Sequence, residues 1–124
     1  MMSGADKLQG LTVLVVEDET IVSFLIEDTL MQLGCKEVWH ASAIAAALAL
    51  LQDKKPDAAV LDVNLSGVPA YPVAERLAAL GVPFVFATGY GKNGVASEWR
   101  DRPVIQKPFD EAVLLAGLIS ALAG

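Results

Sequence analysis

Short apolar runs with little polar alternation are separated along this chain by longer stretches whose apolar residues recur at helical spacing. The short runs, Leu11–Val16, Glu37–Trp39, Ala58–Leu61, Phe84–Ala87 and Val104–Ile105, read as strands covered on both faces. The first helical stretch, about Thr20–Leu33, sets Val22, Leu25, Ile26, Leu30 and Leu33 on one side and stops at Gly34. A second starts at Ser42 as N-cap and runs through alanines to about Gln52, with Pro56 beyond it. A third opens near Pro72, turns Val73, Leu77 and Leu80 inward and ends at Gly81. The Lys92–Arg100 stretch predicts a short helix in a glycine-flanked loop, and the last helix follows Pro108 with Asp110 as N-cap, to about Leu122.

Alternating β and α elements of this kind predict an α/β fold. The expected form is a five-stranded, parallel, doubly wound sheet of flavodoxin-like strand order 2-1-3-4-5, flanked by five helices. The 124 residues have room for one domain, with its core at about 11–122 and no output domain. No apolar run reaches the roughly 20 residues that cross a bilayer, and the polar Met1–Gly10 stretch lacks the apolar centre of an export signal. The expected location is the cytoplasm, with no membrane partner. Cys35, without a second cysteine to pair with, reads as a small apolar filler. A net charge of −6 excludes nucleic acid as the expected partner, since its phosphates would meet mostly carboxylates.

In an open doubly wound sheet ligands bind beyond the carboxyl ends of the strands. Strand one ends there in Glu17-Asp18-Glu19, strand three in Asp62, strand four in Thr88 and strand five in Lys107. With strands one and three adjacent, these side chains converge on one pocket. Crowded carboxylates repel one another, and a divalent cation relieves the repulsion; Mg2+ suits oxygen ligands and leaves room for a phosphate oxygen. Asp62 beside such a cation is placed to attack phosphorus, Lys107 to share the charge of the transferring group, and Thr88 to donate to a phosphoryl oxygen. Taken singly, each residue has an ordinary reading as a turn, cap or surface side chain. The joint placement at successive strand ends carries the inference.

Leu14-Val15-Val16-Glu17-Asp18-Glu19, Leu61-Asp62-Val63-Asn64, Ala87-Thr88-Gly89 and Gln106-Lys107-Pro108-Phe109 resemble the four motifs of receiver domains of two-component response regulators, over about Leu11 to Leu122. The resemblance implies that Asp62 is the phosphoacceptor. It further implies Asp18, Asp62 and the Asn64 main-chain carbonyl as metal ligands, with Glu17 acting mainly through water. The implied phosphoryl source is a histidine kinase or a histidine phosphotransfer protein. A receiver takes part in its own phosphoryl transfer and autodephosphorylation and is not a turnover enzyme. Pro83-Phe84-Val85-Phe86-Ala87-Thr88-Gly89-Tyr90 is similar to the signature of the "FAT GUY" single-domain receivers, which serve phosphorelays including general stress signalling.

Some positions depart from the common receiver pattern. Val104 stands where most receivers carry the aromatic residue that rotates inward on phosphorylation, and Tyr90 is the aromatic best placed to substitute for it. The loop Leu65-Ser66-Gly67-Val68-Pro69 replaces the frequent Met-Pro and Asp-Gly pairs. His40 reads as a strand-end residue, Lys54 and Lys55 as a solvated face, and Trp39 and Trp99 as packing residues. Apolar side chains on several sides of the last helix (Val113, Leu114, Leu115, Leu118, Ile119, Leu122) leave two readings, a docking or homodimer surface and deeper burial in the monomer.

Two other enzymatic or carrier functions conflict with particular residues. A haloacid-dehalogenase-type phosphatase needs a second Asp where Asn64 stands. A flavin mononucleotide carrier needs a neutral phosphate loop where Glu17-Asp18-Glu19 stands. A receiver-like binding module that signals without phosphorylation is the remaining alternative, and a complete set of site residues counts against it.

Overall fold

The side chains of the first strand alternate between two cores, Val13 and Val15 facing one side of the sheet and Leu14 and Val16 the other. The computed structural model describes residues 7–124; the beginning of the polar Met1–Gly10 stretch lies outside the described residues. In chain order the elements are β1 (Thr12–Val16), α1 (Thr20–Gln32), β2 (Glu37–Ala41), α2 (Ile44–Asp53), β3 (Ala58–Asp62), β4 (Asn64–Leu65), β5 (Val68–Pro69), α3 (Tyr71–Ala79), β6 (Phe84–Thr88), β7 (Val104–Gln106) and α4 (Glu111–Ala123). The main sheet runs β2-β1-β3-β6-β7 with every pairing parallel, which is the expected order 2-1-3-4-5. β4 and β5 form a separate antiparallel hairpin directly after Asp62.

The same alternation runs across the sheet. Val60, Val85 and Ile105 join Val13 and Val15 under Ile26 and Leu30 of α1 and Leu114 and Leu118 of α4. Leu61, Phe84 and Phe86 join Leu14 and Val16 under Leu51 of α2 and Val73 and Leu77 of α3. Helices cover both faces, so the inner strands β1, β3 and β6 are apolar along almost their whole length, whereas the edge strand β2 exposes Glu37 and His40.

Four α-helices, not five, occur among the described residues. Where the fourth was expected, the chain makes 3-10 turns at Gly91–Gly94 and Ser97–Trp99. Glycines cost an α-helix about 1 kcal/mol each, and a stretch this short cannot recover the cost of nucleation. Tertiary contacts hold it instead. Trp99 stacks on Tyr71 with ring centroids 6.4 Å apart, meets Phe84 and Phe86 at 6.1 and 6.0 Å, and the Ala96 N–H donates to the Tyr71 hydroxyl at 2.8 Å.

Two local expectations are corrected. Leu25, assigned to the inner side of α1, is 60% exposed, because the seam facing the sheet is the narrower Val22–Ile26–Leu30 row. α2 begins at Ile44 with Ala43 at the cap position and no side-chain cap bond, so Ser42 does not cap it; the Ala47 N–H to Ala43 carbonyl bond closes the first turn. Leu80, at the end of α3, does turn inward as expected, half-buried against the core. Asp110 does cap α4, accepting from the Val113 N–H at 3.0 Å.

α4 buries Leu114, Gly117, Leu118 and Ala121 and half-buries Leu115, Ile119 and Leu122. Deeper burial therefore accounts for most of its apolar excess. The larger exposed apolar face lies on α1, where Ile21 is 75% and Phe24 66% exposed beside Leu25. Cys35 is buried, and its burial pushes the thiol pKa up, as suits an inert filler.

Candidate functional site

Parallel register delivers the site residues to one edge of the sheet. Val16 pairs with Leu61, Asp62 with Ala87, and Thr88 with Gln106, so Glu17, Asp62, Thr88 and Lys107 emerge side by side. Backbone bonds secure the strand ends, from the Glu17 N–H to the Ala41 carbonyl at 3.0 Å and from the Lys107 N–H to the Thr88 carbonyl at 2.8 Å. Carboxylate oxygens of Glu17, Asp18 and Asp62 lie within 4.8 Å of one another. Lys107 bridges two of them, its Nζ 2.6 Å from Glu17 Oε1 and 3.0 Å from Asp62 Oδ2.

Burial sets the electrostatics. Glu17 is only 3% exposed, and loss of solvation pushes its pKa up to about 7 against the opposing bond from Lys107. Asp18, nearer the surface, is held below the ordinary carboxylate range chiefly by the Ser66 hydroxyl, which donates to Oδ2 at 2.7 Å. For Lys107, burial works against the charged form, but the bonds from Glu17 and Asp62 outweigh it and hold the pKa above that of a free lysine.

Three carboxylates against one ammonium leave the pocket with an excess of negative charge. An all-oxygen donor set of this charge fits a hard cation such as Mg2+, with Asp18 and Asp62 offering free lone pairs. The Asn64 side chain is occupied, its Oδ1 accepting from the Gly67 N–H at 2.7 Å, whereas Pro69 across the hairpin has no N–H to give the Asn64 carbonyl. The main-chain oxygen is thus the Asn64 atom available as a ligand. The Asn64 N–H donates to Asp62 Oδ1 at 3.2 Å.

Thr88 is buried, and its Oγ1 accepts from the Tyr90 N–H at 3.2 Å. That bond uses a lone pair and leaves the hydroxyl proton free to donate. Gly94 packs so closely on Thr88 Oγ1 and Tyr90 Cβ that an added Cβ would collide with Thr88. The Tyr90 ring is 80% exposed. Val104, at the position of the usual aromatic, is half-buried and pairs with Phe86. His40 is a strand-end residue, as read from the sequence, with its ring nitrogens 2.7 Å from Ser23 Oγ and 3.0 Å from Glu27 Oε1 on α1.

Of the expected site residues, Glu17, Asp18, Asp62 and Lys107 cluster together, and Asp62, Asn64, Thr88 and Tyr90 line one adjoining pocket. Two others went unrecognised. Tyr71 lines the pocket between Asp62 and Thr88, with nothing in its local sequence to mark it. Ser66 contacts Asp18; the Ser-Gly pair inside an apolar stretch was a usable turn signal.

An open doubly wound sheet with a lysine-bridged acidic pocket at its switch point is the class of protein that the four motifs describe. A model of the response regulator receiver domain matches residues 13–119, and the chain belongs to that family. The sensory transduction protein LytT of Bacillus subtilis is 35% identical over 108 residues, covering 82% of this chain and 44% of LytT. The chain spans less than half the length of the curated relatives it matches. Among solved structures, SdrG from Sphingomonas melonis Fr1 superposes with a TM-score of 0.81 at 44% identity, over 99% of this chain and 100% of SdrG. The response regulator PhyR from Brucella abortus gives 0.79 at 25% identity, over 97% of this chain and 51% of PhyR.

Proposed function

We propose that this chain works as a stand-alone receiver that accepts a phosphoryl group on Asp62 from a histidine kinase or a histidine phosphotransfer protein. The carrying observation is the Lys107 ammonium set 3.0 Å from Asp62 Oδ2 in a pocket of three carboxylates. In the transfer, an Asp62 oxygen bonds to phosphorus as the phosphorus–nitrogen bond to the donor imidazole breaks, and the released nitrogen takes its proton from solvent. Lys107 follows the negative charge onto the phosphoryl oxygens, and the free Thr88 proton meets one of them. Asp18, Asp62 and the Asn64 carbonyl would hold a magnesium ion, which when bound would supply charge neutralisation. Hydrolysis of the aspartyl phosphate by water returns the free carboxylate.

The donor's docking surface, on this reading, is the exposed α1 face of Ile21, Phe24 and Leu25. It is continuous with the site, since a groove of about 530 Å³ runs from Val22 and Leu25 to Lys107 itself. A BeF3-activated conformation of SdrG, 45% identical to this chain, supports a site that takes a phosphoryl-like group. The Pro83–Tyr90 signature and the likeness to PhyR, described as a stress response regulator in one of its structures, support a place in stress signalling, with a downstream protein target.

Intact-mass measurement after incubation with acetyl phosphate and Mg2+ tests this reading, with Asp62→Ala as control. A magnesium-dependent gain of one phosphoryl group in the wild type alone is expected. No gain, from acetyl phosphate or from a panel of histidine kinases, would favour the phosphorylation-independent binding module.

A further inference from the structure

The short hairpin after Asp62 reaches back to the first acidic loop. β4 and β5 pair Asn64 with Pro69 and Leu65 with Val68, leaving Ser66 and Gly67 as a two-residue turn. Both turn residues have positive φ, 53° and 87°, as a type I′ turn requires. Ser66 is the one non-glycine residue with positive φ among the described residues, in a conformation that glycine or asparagine adopts at lower cost.

What serine adds there is a hydroxyl. It donates to Asp18 Oδ2 at 2.7 Å across 48 positions of sequence, leaving Oδ1 of the same carboxylate open to a ligand. At the other end of the hairpin the Asn64 N–H holds Asp62 Oδ1, and Asn64 Oδ1 in turn accepts from the Gly67 N–H beside Ser66. One hairpin thus grips both aspartates whose oxygens face each other in the pocket.

We propose that Ser66 is a positioning residue for the cation, fixing the orientation of the Asp18 carboxylate relative to Asp62. The proposal rests on the reading of this pocket as a magnesium site. Hydrogen-bond partners of ligating carboxylates hold them in their binding geometry, and removing such a partner costs about 10- to 100-fold in metal affinity. The strained φ at Ser66 is then the cost of placing a hydroxyl where glycine would have folded more easily.

The discriminating variant is Ser66→Gly, which suits the turn's positive φ and removes the hydroxyl together with the Cβ that carries it. Mg2+ affinity of the unphosphorylated proteins, read from amide shifts during a magnesium titration, is expected to fall about tenfold or more in Ser66→Gly. Its thermal stability in chelator is expected not to fall below that of the wild type, and the amide shifts of Asn64 and Ala70, at the two ends of the hairpin, are expected to stay close to the wild-type values. Equal magnesium affinity in the two proteins overturns the role of Ser66 alone. Weakened binding accompanied by lost hairpin shifts overturns it as well, since the hydroxyl would then merely support the hairpin. A wild type that binds no Mg2+ removes the magnesium site itself and the role of Ser66 with it.

Discussion

Lys107 Nζ lies 3.0 Å from Asp62 Oδ2, so the cation that would meet an incoming phosphoryl group already rests on the nucleophile. The same ammonium is 2.6 Å from Glu17 Oε1, and both carboxylates are buried. Its removal therefore acts on folding and on chemistry together.

Lys107→Ala is expected to destabilise the protein in chelator by on the order of 2 kcal/mol, because it leaves buried carboxylates facing each other without their cation. Added Mg2+ recovers part of that loss. Phosphorylation of Asp62 by acetyl phosphate slows about tenfold or more. Denaturant unfolding with and without Mg2+ checks the first point and timed intact-mass spectra the second; an unchanged stability in chelator would contradict the account of the pocket's electrostatics.

Glu17 makes stability depend on pH. It titrates near 4.5 when unfolded and near 7 in the fold, so the folded protein holds the extra proton between those values. The stabilisation from this group is complete below about pH 4.5 and is lost as pH rises through about 7. In chelator, the wild type is expected to lose on the order of 2–3 kcal/mol relative to Glu17→Gln between about pH 5 and 8. A difference between the two proteins that stays flat with pH would falsify this.

Tyr90 is tied to Thr88 through its own N–H, and both pack on Gly94. If Tyr90 carries the signal that the usual aromatic would carry from position 104, Tyr90→Ala is expected to leave phosphorylation of Asp62 intact. Shifts induced by beryllofluoride should then persist at Asp62 and vanish over Gly94–Trp99. Persistence of both sets would assign the coupling elsewhere.

Phe24 and Ile21 project from α1 into solvent beside Leu25, which lines a groove together with Lys107. The double substitution Ile21→Ser, Phe24→Ser is expected to slow transfer from a histidine kinase that phosphorylates the wild type by about tenfold or more. Acceptance from acetyl phosphate, which needs no docking, should not change, and stability should move by less than about 1 kcal/mol. Equal slowing with both donors would mean that the substitutions disturb the pocket rather than the docking face.

The strand runs, their order and the site residues at their ends were legible in the sequence for one physical reason. A parallel sheet brings the carboxyl ends of all its strands to the same edge, so chemistry written just after each apolar run is gathered without knowledge of any distance. Asp62, Thr88, Lys107 and the Glu17-Asp18 pair needed only that rule. Position 25 shows its limit: on a helix apolar on more than one side, spacing alone does not say whether Leu25 or Ile26 faces the sheet, and packing chose Ile26. The stretch before β7 was decided by Trp99 and Tyr71, whose stacking joins residues 28 positions apart and holds glycine-rich backbone in tight turns. Composition marks a glutamate as acidic, but only the burial of Glu17 against Lys107 moves its pKa to about 7. The bond from Ser66 to Asp18 belongs to the same class, since it exists only where the register of β1 and β3 and the turn of one hairpin bring two loops within 2.7 Å. Local pattern determined which residues meet, and tertiary packing decided how each is charged, oriented and exposed.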